Sequence, residues 1–314
     1  MKDKAIRMVK ITFSLLLMYV LLSQIEYGEI KVIVEEIEIG SILLAILIYN
    51  ISVFFNAVKW KILLPKTRTR FLTYLCFRAQ FYSTVLPGQL FGEASKLMVW
   101  KNQEEDVSRV AASVVYDRIT GIIGQMIIAV VGFSLSVVGR DNRNKWWLLG
   151  AIIVILVFMY FSTEKHVAQF INFTIRIISK KNDTFGDKMS ELYGAWRYFS
   201  KDRKILILSV AWGIINQVMG SIMVLYLSRT IGLEVGFFDY CWIMPMISLI
   251  LLIPISFAGI GLRDVSLTSM LALYNVQTSR ALIISSGLLL GQIVAAVIGG
   301  ILVFIQNIKE KQDG

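Results

Sequence analysis

The sequence predicts an all-α polytopic membrane protein, and three observations carry that expectation. Apolar residues make up 56% of the 314 positions and fall in long continuous runs. Runs of about 18 or more are long enough to cross a hydrocarbon core of about 30 Å as a helix. The basic residues sit between those runs, as the positive-inside bias requires. The alternation of a transmembrane barrel is missing. The net charge of +10 therefore reads as topology, and no nucleic-acid partner is expected.

In chain order the candidate spans are residues 8–25, 39–58, 107–138, 146–162, 205–229 and 278–305. The first resembles a signal peptide in charge and hydrophobicity. It lacks a small-residue cleavage site before the acidic loop, so it is expected to stay as a span. Two further apolar segments are interrupted: residues 71–87 end at Pro87 and residues 239–254 at Pro254. Each is followed by a Gly-containing turn and a more polar helical piece, residues 88–101 and 259–275.

Loop charges fix the expected topology. The N-terminus carries Lys2, Lys4, Arg7 and Lys10, whereas residues 26–38 hold five glutamates and one lysine. Lys59, Lys61, Lys66, Arg68 and Arg70 then place residues 59–70 inside, and the stretch 163–204 and the tail with Lys309 and Lys311 are basic as well. All of these agree with the positive-inside rule only if the two broken segments are re-entrant hairpins that return to their starting side. The expected architecture is thus about six full spans plus two Pro/Gly-broken hairpins, with both termini cytoplasmic in a cell (inner) membrane.

In that topology the hairpins enter from opposite faces, so residues 39–138 and 205–305 form an inverted repeat within a single membrane domain spanning 1–314. Glu93 precedes Ser108–Arg109 by 15 and 16 residues, and Asp264 precedes Ser279–Arg280 by the same distances. Interrupted helices at corresponding positions of an inverted repeat point to a binding site near the midplane. Between the halves, Val167, Phe170, Ile171, Thr174, Ile177 and Ile178 follow helical spacing opposite Gln169, Asn172, Arg176 and Lys180, as an amphipathic surface helix would. The connector of 163–204 is too short for a catalytic domain, and no enzymatic activity is expected. Cys76 and Cys241 lie in apolar helices without a CxxC spacing, and His166 stands alone. No disulfide, metal or cofactor is expected, and the absence of a GxxxxGK[ST] run argues against nucleotide drive.

Charged residues inside apolar segments mark the candidate site. They are Glu93 and Lys96 after Pro87, Asp117 and Arg118 in the span from Val107, Arg263 and Asp264 after Pro254, Gly259 and Gly261, and Arg78. Gln80, Asn216 and Gln217 add uncharged polar groups. One charge at the centre of an inserted helix costs roughly 2.5–3.5 kcal/mol, so seven facing lipid would cost on the order of 20 kcal/mol. They are expected to face one another, a wet cavity or the interface, with the adjacent acidic–basic pairs neutralising each other. Each break also exposes a helix N-terminus that favours an anion, and an arginine beside it suits a phosphate. The chemistry points to an anionic headgroup.

Together these motifs resemble the lysylphosphatidylglycerol synthase transmembrane family, also called the flippase-like domain. Its members carry a Pro, a Gly–acidic pair and a basic residue three further on, matched by Pro87, Gly92–Glu93 and Lys96. An acidic–Arg–x–x–Gly run is matched by Asp117, Arg118 and Gly121. The closing motif is matched by Pro254, Ile255, Ser256, Gly259, Gly261, Arg263 and Asp264. Phe91 stands where Gly is common, and Lys96 stands where Arg is usual, which keeps the charge without the planar fork.

The resemblance implies the membrane part alone, without the soluble aminoacyltransferase domain of multi-domain relatives. It implies translocation of an anionic phospholipid or a polyprenyl-linked envelope lipid, with Pro87, Glu93, Lys96, Asp117, Arg118, Gly259, Gly261, Arg263 and Asp264 along the headgroup pathway. An alternative stays open: a non-transporting accessory or scaffold that docks an envelope glycosyltransferase or lipid synthase.

Overall fold

The computed structural model describes residues 39–86, 89–100, 107–140, 190, 193–194, 196–252, 256 and 258–312. The expected spans 8–25 and 146–162, the amphipathic helix of the connector, Pro87 and Pro254 lie outside these residues. Helices α1 (Ile39–Leu63), α2 (Thr69–Val85), α3 (Gln89–Leu97), α4 (Val107–Leu135), α5 (Val137–Arg140), α6 (Arg203–Thr230), α7 (Phe237–Ile250), α8 (Leu262–Ala272) and α9 (Thr278–Gln312) follow in order. No strand occurs among the described residues. Helices α1, α4, α6 and α9 are long and apolar enough to cross a membrane.

These four helices coincide with four of the expected spans, but α1 continues beyond residue 58 through Lys59 and Lys61. Lysine is a good helix former, so the apolar run ends before the helix does. The helix stops where Lys61 donates to the carbonyls of Pro65 and Thr67 at 2.7 and 2.5 Å, satisfying acceptors past the helix end.

Both interrupted segments double back. After α2, the chain returns through α3 until the Trp100 ring lies 5.4 Å from Phe71 and 6.0 Å from Trp60, level with the start of α2. The tight return requires Gly92: an added Cβ there would stand 2.5 Å from the Ala79 carbonyl oxygen of α2. After α7, helix α8 leads to Tyr274, whose hydroxyl accepts from Trp242 Nε1 at 2.8 Å near the start of α7. Gly259 and Gly261 both adopt φ of 79° in the turn between them, a region glycine enters without steric cost.

The order long, short, short, long thus occurs twice, as α1–α4 and as α6–α9. Helices α1 and α6 run antiparallel, tied by Tyr226 to Ser41 at 3.2 Å near one end and by Asn216 to Asn56 at 3.0 Å further along. Packing partners are exchanged between the two sets: α2 lies on α9 as α7 lies on α4, and α1 lies on α9 as α6 lies on α4. Two apolar cores result, one around Trp60, Trp100 and Tyr116 and one around Tyr240, Ile243 and Leu267. Residues of both hairpins line one cavity between them.

Gly299 shows how close the α2–α9 packing is, because a Cβ at that position would run into the Phe77 carbonyl. The small residues of the last span therefore pack within the chain. Gly299→Val is expected to destabilise the protein by roughly 1–3 kcal/mol, the usual cost of overpacking. A lowered unfolding midpoint of the detergent-solubilised chain checks this.

A charged cavity between the hairpin tips

Among the described residues, every long helix and both hairpins contribute to a cavity of about 390 Å³. Its lining includes Glu93, Lys96, Asp117, Arg118, Gly259 and Arg263, six of the nine residues singled out in the sequence. Gly261 and Asp264 stand immediately behind Arg263, and Pro87 lies outside the described residues. Gln80, Asn216 and Gln217 also reach the lining. Arg78 does not. It turns away, with its guanidinium 5.0 Å from the Tyr82 ring and Nη1 donating to the Tyr74 hydroxyl at 3.2 Å.

On α3, Glu93 and Lys96 are three residues apart and share one helix face. Lys96 Nζ meets Glu93 Oε2 at 2.7 Å and lies 4.8 Å from the centre of the Trp60 ring. At 7% exposure this ammonium is desolvated, where a carboxylate and an aromatic face together replace its water shell. Lys96 is thereby occupied within the protein.

On α4 the wiring differs from the expected pairing of neighbours. The Asp117 carboxylate is held by Lys59 of α1 at 2.9 Å, and Lys59 Nζ also donates to the Asp117 carbonyl at 2.9 Å. Gly121, one turn on, leaves room for this: a Cβ there would sit 3.4 Å from the lysine nitrogen. The acidic–Arg–x–x–Gly motif is in this respect a seat for a lysine from another helix. Arg118 lines the same cavity.

At the start of α8 the anion-favouring terminus is taken by the chain itself. Asp264 Oδ2 accepts from the Gly261 N–H at 2.8 Å, and the Arg263 N–H donates to the Gly259 carbonyl at 2.8 Å. This corrects the expectation of an open helix end, because a carboxylate three residues in satisfies the N-cap donor before any ligand arrives. Ala258, also on the lining, takes φ of 51° to enter the turn, a strained value for a residue with a side chain.

Arg263 is 5% exposed and closely braced. Its Nε lies 3.7 Å from Asp264 Oδ1, too long for a direct hydrogen bond, and Ser285 of α9 fills the gap. The Ser285 hydroxyl donates to Asp264 Oδ1 and accepts from Arg263 Nε at 3.0 Å. Arg263 Nη1 donates to Gln292 Oε1 at 3.2 Å, while Nη2 has no partner among the described residues.

Sequence reasoning missed Lys59, Ser285 and Gln292. Lys59 belongs to a run of basic residues that reads as loop charge, yet Tyr49, Val53, Asn56 and Lys59 follow helical spacing and all reach the lining. That periodicity was the available signal. Ser285 is one of two adjacent serines and Gln292 a lone amide in a long apolar run, and nothing in the local pattern sets them apart.

An apolar helical bundle with two doubled-back hairpins around a charged internal cavity defines a multi-pass membrane protein. The chain belongs to the family described as Lysylphosphatidylglycerol synthase TM region, which it matches over residues 7–305. Membership places it among membrane proteins of lipid-related function. No curated protein and no solved structure matches it.

Breaking the Lys59–Asp117 pair from one side leaves a carboxylate without its cation. Lys59→Met is expected to destabilise the protein by about 1–3 kcal/mol, with Asp117's partial exposure to the cavity keeping the loss below that of a fully buried pair. The double variant Lys59→Met with Asp117→Leu should recover part of the loss, and a double-mutant cycle of unfolding midpoints in detergent checks both.

Proposed function

We propose that this chain translocates lipids with an anionic headgroup, either a phospholipid or a polyprenyl-linked envelope lipid. The observation that carries the reading is Arg263: a desolvated guanidinium on the wall of the cavity, fixed along one edge and unpartnered at Nη2. A buried donor without an acceptor costs about 1–3 kcal/mol, a cost that an entering phosphate oxygen would offset. Asn216, Gln217, Gln80 and Gln125 add amides along the lining, which suit the hydroxyl or ester oxygens of a headgroup.

The supporting topology is six full spans and two re-entrant hairpins, arranged as an inverted repeat of residues 39–138 and 205–305. The antiparallel α1 and α6 and the exchanged packing partners favour it. With loop charges on the cytoplasmic side, both termini face the cytoplasm of an inner-membrane protein. In this reading the two hairpins part on alternate sides, each exposing the shared cavity to one leaflet. Hydrocarbon chains stay in the bilayer while the headgroup crosses through the polar middle.

The test is lipid movement in proteoliposomes with labelled phosphatidylglycerol, lysyl-phosphatidylglycerol and polyprenyl phosphate. Wild type should move one of these above protein-free vesicles, and Arg263→Ala should slow it about tenfold or more, the worth of one charge-assisted hydrogen bond. Equal rates in wild type and a folded Arg263→Ala would refute the reading.

A further inference from the structure

Gln292 of α9 bonds a residue of each hairpin. Its Oε1 accepts from Arg263 Nη1 at 3.2 Å, and its Nε2 donates to Thr84 Oγ1 at 3.3 Å. Thr84 lies in the last turn of α2 and Arg263 in the first turn of α8. One side chain of α9 therefore touches the tips of both hairpins. A carboxamide suits this place because it offers a donor and an acceptor at a fixed separation without a charge of its own.

The consequence falls on Arg263. Its guanidinium is planar, and its N–H groups point in fixed directions. Ser285 holds Nε and Gln292 holds Nη1, so the plane is set and the direction of Nη2 is set with it. Nη2 is the nitrogen left without a partner. A carboxylate at position 292 would put a second negative charge beside an arginine that Asp264 already balances, whereas the amide holds Nη1 without adding one.

We propose that Gln292 is a positioning residue that orients the Arg263 guanidinium so that its Nη2 edge is kept for a phosphate oxygen. The inference rests on the translocator reading and deepens it by naming the group recognised, a phosphate monoanion or diester. Such a group comes from a lipid headgroup or from free phosphate. The contact to Thr84 joins the second hairpin to the same amide, but the aim of Arg263 depends on the Oε1 contact alone.

The experiment uses the purified full chain in detergent micelles, with native mass spectrometry reading bound phosphatidylglycerol against phosphatidylcholine and inorganic phosphate as competitor. Wild type should prefer phosphatidylglycerol. Gln292→Met, which releases Nη1 without adding charge, should lose about tenfold in that preference with an unchanged unfolding midpoint, since each tenfold corresponds to about 1.4 kcal/mol and one charge-assisted bond is lost. Thr84→Val removes only the other contact and should stay within about twofold of wild type. Should Gln292→Met fail to fold, Gln292→Leu carries the same expectation. Resistance of the wild-type complex to inorganic phosphate identifies a lipid headgroup as the source, and displacement identifies free phosphate; either supports the oriented guanidinium.

Equal preference in folded Gln292→Met and wild type would overturn the inference alone. So would a loss in Thr84→Val as large as in Gln292→Met, which would mark the amide as a general packing element. No preference in wild type would overturn the translocator reading and the inference with it.

Discussion

Inside an apolar layer, no water is at hand to satisfy a broken backbone or a charged side chain, so each must find its partner within the protein. The two hairpins of this chain break their helices and carry charges at the same place, and the rest of the architecture follows from satisfying both. The chain's own carboxylate caps α8, since Asp264 takes the Gly261 N–H. The same carboxylate, through Ser285, secures Arg263. Long helices supply further partners: α9 gives Ser285 and Gln292 to Arg263, α4 gives Gln125 to Ser248 of α7, and α1 gives the Trp60 face to Lys96.

The charges are not alike in what they leave available. Lys96 is consumed by Glu93 and the Trp60 face, and Lys59 by Asp117. These are closures between elements: the first holds α3 against α1, the second α1 against α4. Arg263 differs because its partners engage Nε and Nη1 and leave the buried Nη2 without one among the described residues. A buried ion pair contributes little net stability once desolvation is counted, but it fixes which surfaces meet. In this protein the pairs line the cavity, and the proposed preference for negative charge rests on the incompletely satisfied arginine.

Much of this was legible in the sequence, for physical reasons. Apolar runs gave α1, α4, α6 and α9 because spanning a hydrocarbon layer sets a length, and Pro and Gly gave the two interruptions because they remove or redirect backbone hydrogen bonds. The charges followed from cost, since Glu93, Lys96, Asp117, Arg118 and Arg263 could not face lipid, and all five line one cavity. What stayed hidden was the wiring. Neighbours in sequence look like natural partners, yet residues adjacent on a helix point about 100° apart, and Asp117 took a lysine 58 positions earlier. The helix terminus before Arg263 read as open because a cap by Asp264 and a free anion site share the same Gly–x–x–acidic spacing. Ser285 and Gln292 matter only through residues that the fold brings to them.

The account depends above all on the hairpins entering from opposite faces and meeting in the middle. Sidedness of single cysteines in a background lacking Cys76 and Cys241 tests that directly, using a membrane-impermeant thiol reagent on right-side-out and inverted vesicles. Lys66→Cys and Met98→Cys flank the first hairpin, and Glu234→Cys and Asn275→Cys flank the second. The account predicts that the first two label from one face and the last two from the other. Labelling of Lys66→Cys and Met98→Cys from opposite faces, or of all four from the same face, would contradict it.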